Sequence, residues 1–445
     1  MAASKSIRIF PLIDSHRGIY LADNILTTQR IDPILTPGQI ATHVHSGAQG
    51  SPPVCNQTHF CHPVVGGSNF GFDSTSSDVL RNSSCTSVPI REDKSNYWYP
   101  VLHYLRWQNG TFSLVDGNPV MYVSRNYLFS DDVNTTTPFP DDRLTERAIK
   151  GDPNLRTFNA SSFAQQALTY LCLQAGGASA RSNELPRGAC SAGIRSQINF
   201  PSCWVGKNVD SDDHRSHVAF LSTGPDNGTC DDPAFPYTLP RLFMEASQHC
   251  PSVYWITQTW DAFRSQSYSP DQPFVFSNGD PTGYGYHADF LNGWEPAALK
   301  NALDYCHCNP YGDPSCCVAQ GLFTFDQEAK CYITDSVEEK VKGTLDRLPG
   351  ANPVQAPCYE DYVATSTPAI VAPVYAYDDA EDPVYTAVDG AKVARPTVTV
   401  AHAASSASVA QAAQGTCIYN GAVYTAVRAG WILSAGVLGI AYLSM

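Results

Sequence analysis

The chain has 445 residues, with 28 Lys and Arg against 42 Asp and Glu, for a formal net charge of −14. Phosphate-backbone binding requires clustered Lys and Arg, and no basic run interrupts this acidity, so nucleic acid is excluded as a partner. Only 16% of residues are charged, while Gly, Pro, Tyr and Phe are plentiful. That mixture of turn formers and aromatics predicts a mainly β fold, sandwich or jelly-roll-like, with a few peripheral helices.

In chain order, residues 1–24 form an atypical N-terminal segment. "MAASKSIRIFPLIDSHRG" offers only "IFPLI" before Asp14, too short an apolar run for a secretory leader, and the expectation is that Met1 is not the true start. A disulfide-rich β body is expected over residues 25–358. Within it "ATHVHSG" sets His43 and His45 two apart, so on a strand both rings leave one face and can chelate one metal ion. "NPVMYVSRNYLF" (118–129) and "PSVYWITQTW" (251–260) read as strands, rich in β-branched and aromatic residues. Aromatic runs such as "SNYWYP" suit either the core or a sugar-stacking platform.

"DSDDHRSHVAF" places His214 and His217 three apart. A turn leading into a strand is expected, with His217 pointing inward to meet His45 and His287, Asp213 or Asp289 orienting a ring, and Arg215 facing the opposite way or neutralising a nearby aspartate. In "GYGYHADFLNGW", His287 and Asp289 stand at i and i+2 behind Gly283 and Gly285, which permit a tight backbone approach. The remaining carboxylates of interest are Asp210, Asp212, Glu245, Asp261 and Asp280, although aspartates in "NVDSDD" and "SNGDPTG" are also common turn residues. The candidate ligand set for one divalent metal ion is therefore His43, His45, His214, His217 and His287. The candidate catalytic set is His45, His217, His287 and Asp289. The competing reading is a polar seam of hydrogen-bonded partners with no chemistry.

Two helices are expected near the end of the body. After Pro296, Leu299, Ala302, Leu303 and Cys306 repeat at i, i+3, i+4 and i+7. Ser336 with Glu339 spells a capping box ahead of Val337, Val341, Leu345 and Leu348. The 15 cysteines argue for disulfides and an oxidising compartment. A structural zinc site in the run Cys306, Cys308, Cys316 and Cys317 is the rival, but the paired Cys-x-x-Cys knuckles are missing. Sequons at Asn56, Asn82, Asn109, Asn134, Asn159 and Asn227 point to a glycosylated surface. Residues 359–415, rich in Ala, Val, Ser, Thr and Pro, read as a flexible glycosylated stalk. The tail, 416–445, ends in a short uncharged apolar run, suited to a glycolipid-attachment signal or, alternatively, a tail anchor. Cleavage after Gly415 would remove Cys417 and leave an even number of cysteines; Asn420 is the other candidate. The localisation expected is the extracellular face of the plasma membrane or the cell wall.

The ordered motifs "RIDPILTPG", "HVH", "GGSNFG", "DKSNYWYP", "INFPSCWVGKN", "DHRSHVAF" and "FSNGDPTGYGYHADFLNGW" resemble a fungal family, the domain of unknown function numbered nineteen ninety-six, from Arg30 to Cys306. The resemblance implies a fungal, secreted, disulfide-bonded body. It carries the family's polar positions onto His43, His45, Asp93, Lys94, Trp204, Lys207, Asp210, His214, His217, Asp280, His287 and Asp289. It implies no activity. Where the family passes quickly from His-x-His to Gly-Gly, this chain inserts "SGAQGSPPVCNQTHFCHPVV", with Cys55 and Cys61 expected to close a small loop. Two functions stay open: an enzyme acting on wall polysaccharide through a metal or acid/base site, and a non-catalytic wall-binding or structural module on its stalk.

Overall fold

A computed structural model describes residues 18–22, 26–46, 76–105, 111–114, 118–124, 162–174, 177–188, 190, 193–247, 273–306, 308, 314–326, 331–355, 362, 367–371, 375–378, 385–387, 392–393, 416–419 and 422–425. Among them antiparallel ladders dominate, as the β-branched and aromatic content predicts. One sheet of six strands runs β1 (Gly18–Ala22), β7 (Asn118–Ser124), β14 (Arg241–Ser247), β10 (Ile194–Asn199), β8 (Leu168–Cys172) and β9 (Ala180–Ser182). A second runs β16 (Asp289–Leu291), β4 (Asn96–Pro100), β3 (Ile40–Ser46) and β2 (Thr28–Ile31), and a third β15 (Phe274–Phe276), β5 (Leu102–Leu105), β6 (Phe112–Leu114) and β18 (Thr344–Leu345). Three short strands, β12 (Val218–Ala219), β11 (Cys203–Trp204) and β13 (Tyr237–Thr238), make a small separate sheet.

Strand alternation sorts the second sheet into two faces. Tyr97, Tyr99 and Phe290 enter the main core with Tyr170, Phe200, Tyr286 and Trp294, while Trp98 and Leu291 join a second cluster with Leu26, Ile31, Leu80 and Ile333. The helix Pro296–Tyr305 forms as its spacing predicts, and its apolar stripe of Leu299, Ala302 and Leu303 is buried against the main core, closed by buried Cys306. Burial of each leucine contributes roughly 1.5–3 kcal/mol. The other described helices are short: Ser77–Arg81, Phe163–Gln166 and Ser315–Ala319.

The second expected helix does not form. Ser336 gives its backbone N–H and its hydroxyl to Gln29 Oε1, and Glu339 turns to Arg30 and to the Gly350 N–H. The segment instead contributes β18 and a 3₁₀ turn at Pro349–Ala351, and Gly343 sits at φ 75°. The local capping pattern is overridden because both of its polar residues bond strand β2, some 300 positions earlier in sequence.

Five disulfides join described residues: Cys85–Cys331, Cys172–Cys190, Cys203–Cys230, Cys306–Cys317 and Cys308–Cys316. The cysteines of the zinc alternative are thus paired with one another, and a disulfide sulfur carries no thiolate charge for a metal. Cys55 and Cys61, the expected strand at 251–260, Asp261 and the sequons at Asn56, Asn109, Asn134 and Asn159 lie outside the described residues. Of the low-complexity segment, β19 (Tyr375–Asp378), β20 (Tyr385–Ala387) and β21 (Lys392–Val393) pair in series with β17 (Cys331–Ile333). In the tail, β22 (Thr416–Tyr419) and β23 (Ala422–Thr425) pair antiparallel. No helix among the described residues is long and apolar enough to cross a membrane.

Candidate metal centre

Strand β3 presents His43 and His45 on one face, with Val44 turned away into an aliphatic cluster with Val101 and Val341. The register between β2 and β3 shifts between Gln29 and Ile31. Arg30, at that irregularity, donates from Nε to the Ala41 carbonyl, 2.7 Å away. From the other end of the fold, the turn after β15 delivers His287. Its staple is Asp280, fully buried, whose carboxylate accepts from Thr282 N–H (2.7 Å), the Thr282 hydroxyl (2.5 Å) and Gly285 N–H (2.7 Å). Here the turn reading of "SNGDPTG" holds. The turn also needs Gly279, at φ 86°, where a Cβ would lie 2.0 Å from the Pro353 carbonyl oxygen.

These elements bring three rings together. His43 Nε2 lies 3.4 Å from His287 Nε2, and His45 Nε2 lies 3.3 Å from it. All three ligand atoms are within 4.8 Å of one another, and all three residues are buried. The opposite ring nitrogens are each engaged. His45 Nδ1 donates to Ile31 O at 3.2 Å, His287 Nδ1 donates to Gly285 O at 2.9 Å, and His43 Nδ1 meets Thr42 Oγ1 at 2.8 Å. A carbonyl oxygen only accepts, so the protons of neutral His45 and His287 are on Nδ1 and their Nε2 lone pairs face each other. Bare lone pairs at this separation repel unless a cation lies between them. The spacing fits a metal: nitrogens about 2.0–2.1 Å from a tetrahedral zinc lie about 3.3 Å apart.

The surroundings fix ring orientation, as outer-shell partners of metal-bound histidines do. Trp98 stacks on His45 with centroids 5.1 Å apart and 20° between planes. Asn278 Nδ2 donates to Gly285 O, the same carbonyl that receives His287 Nδ1–H, at 3.2 Å. Asn352 Nδ2 donates to Thr42 O at 2.7 Å, tying the strand beside His43 to the 3₁₀ turn. Sequence reasoning missed Asn278, Asn352 and the carbonyls of Ile31 and Gly285. Only the Asn-Gly-Asp turn motif hinted at any of them.

The other expected ligands lie elsewhere. His214, at φ 55°, bonds Asp210 through Nδ1 at 2.8 Å. His217 is buried at the entry to β12 as expected, but its Nδ1 meets Ser211 Oγ at 2.9 Å rather than His45 or His287, and burial lowers its pKa while Asp210 and Asp213 oppose that shift. Neither histidine belongs to the group of three. Arg215 does neutralise an aspartate, with Nε 3.1 Å from Asp213 Oδ2. Asp289 is buried at the start of β16, opposite Trp98, and is not a member of the group. Glu245 is held inside the six-stranded sheet by Gln197 and Arg195.

Fold and site together define an antiparallel, disulfide-stapled β protein with a buried triad of histidine Nε2 atoms. The chain belongs to the family described as Domain of unknown function (DUF1996), whose model matches residues 53–294, more than half of the sequence. His287 lies within the matched stretch, and His43 and His45 precede it. No curated protein and no solved structure matches the chain.

Proposed function

We propose that this is a surface or secreted protein whose body holds one divalent transition-metal ion on His43, His45 and His287, and that the ion serves chemistry on extracellular polysaccharide. The observation that carries the reading is the convergence of three buried histidines, with His43 and His45 Nε2 3.4 and 3.3 Å from His287 Nε2 and each ring anchored through its other nitrogen. Imidazole ligands suit zinc, copper, iron or nickel. Three protein ligands leave a tetrahedral ion one position for water or substrate, as in catalytic rather than structural zinc sites. A metal in this setting lowers the pKa of bound water and so supplies hydroxide near neutral pH. Five disulfides and the exposed sequon at Asn82 support an extracellular setting, and a glycolipid or tail anchor remains the proposed attachment.

A second reading is favoured by burial. His45 is 1% exposed and His287 0%, which suits an ion that staples β3 to the His287 turn in a non-catalytic wall-binding module. Metal analysis of the full chain from a secreting host tests the common core of both readings. About one equivalent of metal is expected in the wild type and none in His287→Ala; a wild type that stays metal-free after incubation with zinc and copper ions overturns it. Release of sugar from wall glucan that is lost on chelation then separates enzyme from module. Asn278→Ala should weaken zinc binding about 10- to 100-fold in a calorimetric titration, because it removes a donor from the carbonyl that orients His287.

A further inference from the structure

The two disulfides after the helix Pro296–Tyr305 are packed against each other. Cys308 Sγ lies 3.1 Å from Cys317 Sγ, to which it is not bonded, and Cys316 Sγ lies 3.7 Å from the same atom. Cys306 and Cys317 are buried, 2% and 0% exposed, while Cys308 and Cys316 are both half-buried. Of the five disulfides among the described residues, Cys308–Cys316 alone has no buried member. It is the bridge an external thiol reaches first, and the sulfur it frees already faces the inner bridge.

We propose that this pair is a thiol–disulfide exchange site whose substrate class is a dithiol. A dithiol's thiolate attacks Cys316 Sγ, forming a mixed disulfide and breaking the Cys308–Cys316 bond, with the electron pair leaving on Cys308. The second thiol of the substrate attacks the mixed disulfide, departs as a cyclic disulfide and leaves Cys316 as a thiol. Cys308 thiolate then attacks Cys317 Sγ across the 3.1 Å gap, breaking Cys306–Cys317 and releasing Cys306, which takes up a proton. Two electrons and two protons have moved from the dithiol to the protein. The surviving bridge is Cys308–Cys317, and the thiols are Cys306 and Cys316. Attack by Cys316 on Cys317 is disfavoured because it starts from further away and would join adjacent residues.

The test is limited reduction of the native full chain with less than one equivalent of dithiothreitol, acid quenching, alkylation and disulfide mapping by mass spectrometry. Label on Cys306 and Cys316 with a Cys308–Cys317 cross-linked peptide is expected. Label on Cys308 and Cys316 with Cys306–Cys317 intact overturns the proposal, as does earlier reduction of any other bridge. Cys316→Ser supplies an arm that needs no reductant: the free thiol should move from Cys308 to Cys306. Its retention on Cys308 overturns the transfer step.

Discussion

Arg30→Ala is expected to lower the free energy of unfolding by about 3–5 kcal/mol, the range for removing one partner from a buried ion pair. The guanidinium is 2% exposed and lies 3.0 Å from a Glu339 carboxylate that is itself 16% exposed. Burial lowers the Arg30 pKa, and the Glu339 charge and hydrogen bond oppose that shift. Without the guanidinium Glu339 keeps the Gly350 N–H but loses the Arg30 cation, and the Ala41 carbonyl loses Arg30 Nε. Replacing both partners by methionine should recover much of the loss, since two apolar side chains leave no buried charge behind. Guanidinium denaturation measures both variants; a loss below about 1 kcal/mol in Arg30→Ala would place the pair with weak surface bridges. Because Ala41 is two residues before His43, the same variant should also weaken metal binding.

Arg30 shows why the site was only partly legible in the sequence. The period of two in "HVH" fixes that His43 and His45 share a face, and "GYGYHADF" fixes a tight approach for His287, so two of the three elements could be read locally. That His45 and His287 would meet was also expected; that His217 would stand apart was not. "HRSH" is as good a chelating spacing as "HVH", yet Ser211 and Asp210 occupy its rings while carbonyls and a hydroxyl orient the other three. Likewise the helix after Pro296 was legible because its stripe is buried by the core beside it. The capping box at Ser336 was not informative, because Gln29 and Arg30 offer its residues stronger buried partners. The meeting of His45 with His287 was expected and forms, whereas the contact of Ser336 with Gln29, 307 residues apart, had no local signal.

His103→Leu is expected to stabilise the protein, and increasingly so in acid. His103 is fully buried on β5, where Leu102 and Tyr104 face the main core and His103 faces the other way. Its cross-strand neighbours are Val275 and Leu114, and among the described residues neither ring nitrogen has a hydrogen-bond partner. A buried polar group without a partner costs about 1–3 kcal/mol at neutral pH, which leucine removes. Burial also pushes the His103 pKa from its ordinary 6.5 down to about 3. Between those values the unfolded chain binds a proton that the native state refuses, so stability falls as pH falls through this window, by about 1.4 kcal/mol per unit. Asp93 works in the opposite direction. Its desolvated carboxyl is pushed up to about 6, against hydrogen bonds from Ser95 and Tyr97, so the native state holds the extra proton between about 6 and 3.8 and gains stability as pH falls there. The two therefore offset each other over much of the wild-type profile, and the histidine's share emerges only in the difference between variants. Denaturation of wild type and His103→Leu from pH 7 to pH 4 should give a stability gap that widens steadily toward acid. A gap that is constant with pH would mean that His103 titrates normally, and a loss of stability in the leucine variant at pH 7 would mean that the imidazole packs or bonds better in this apolar layer than leucine can.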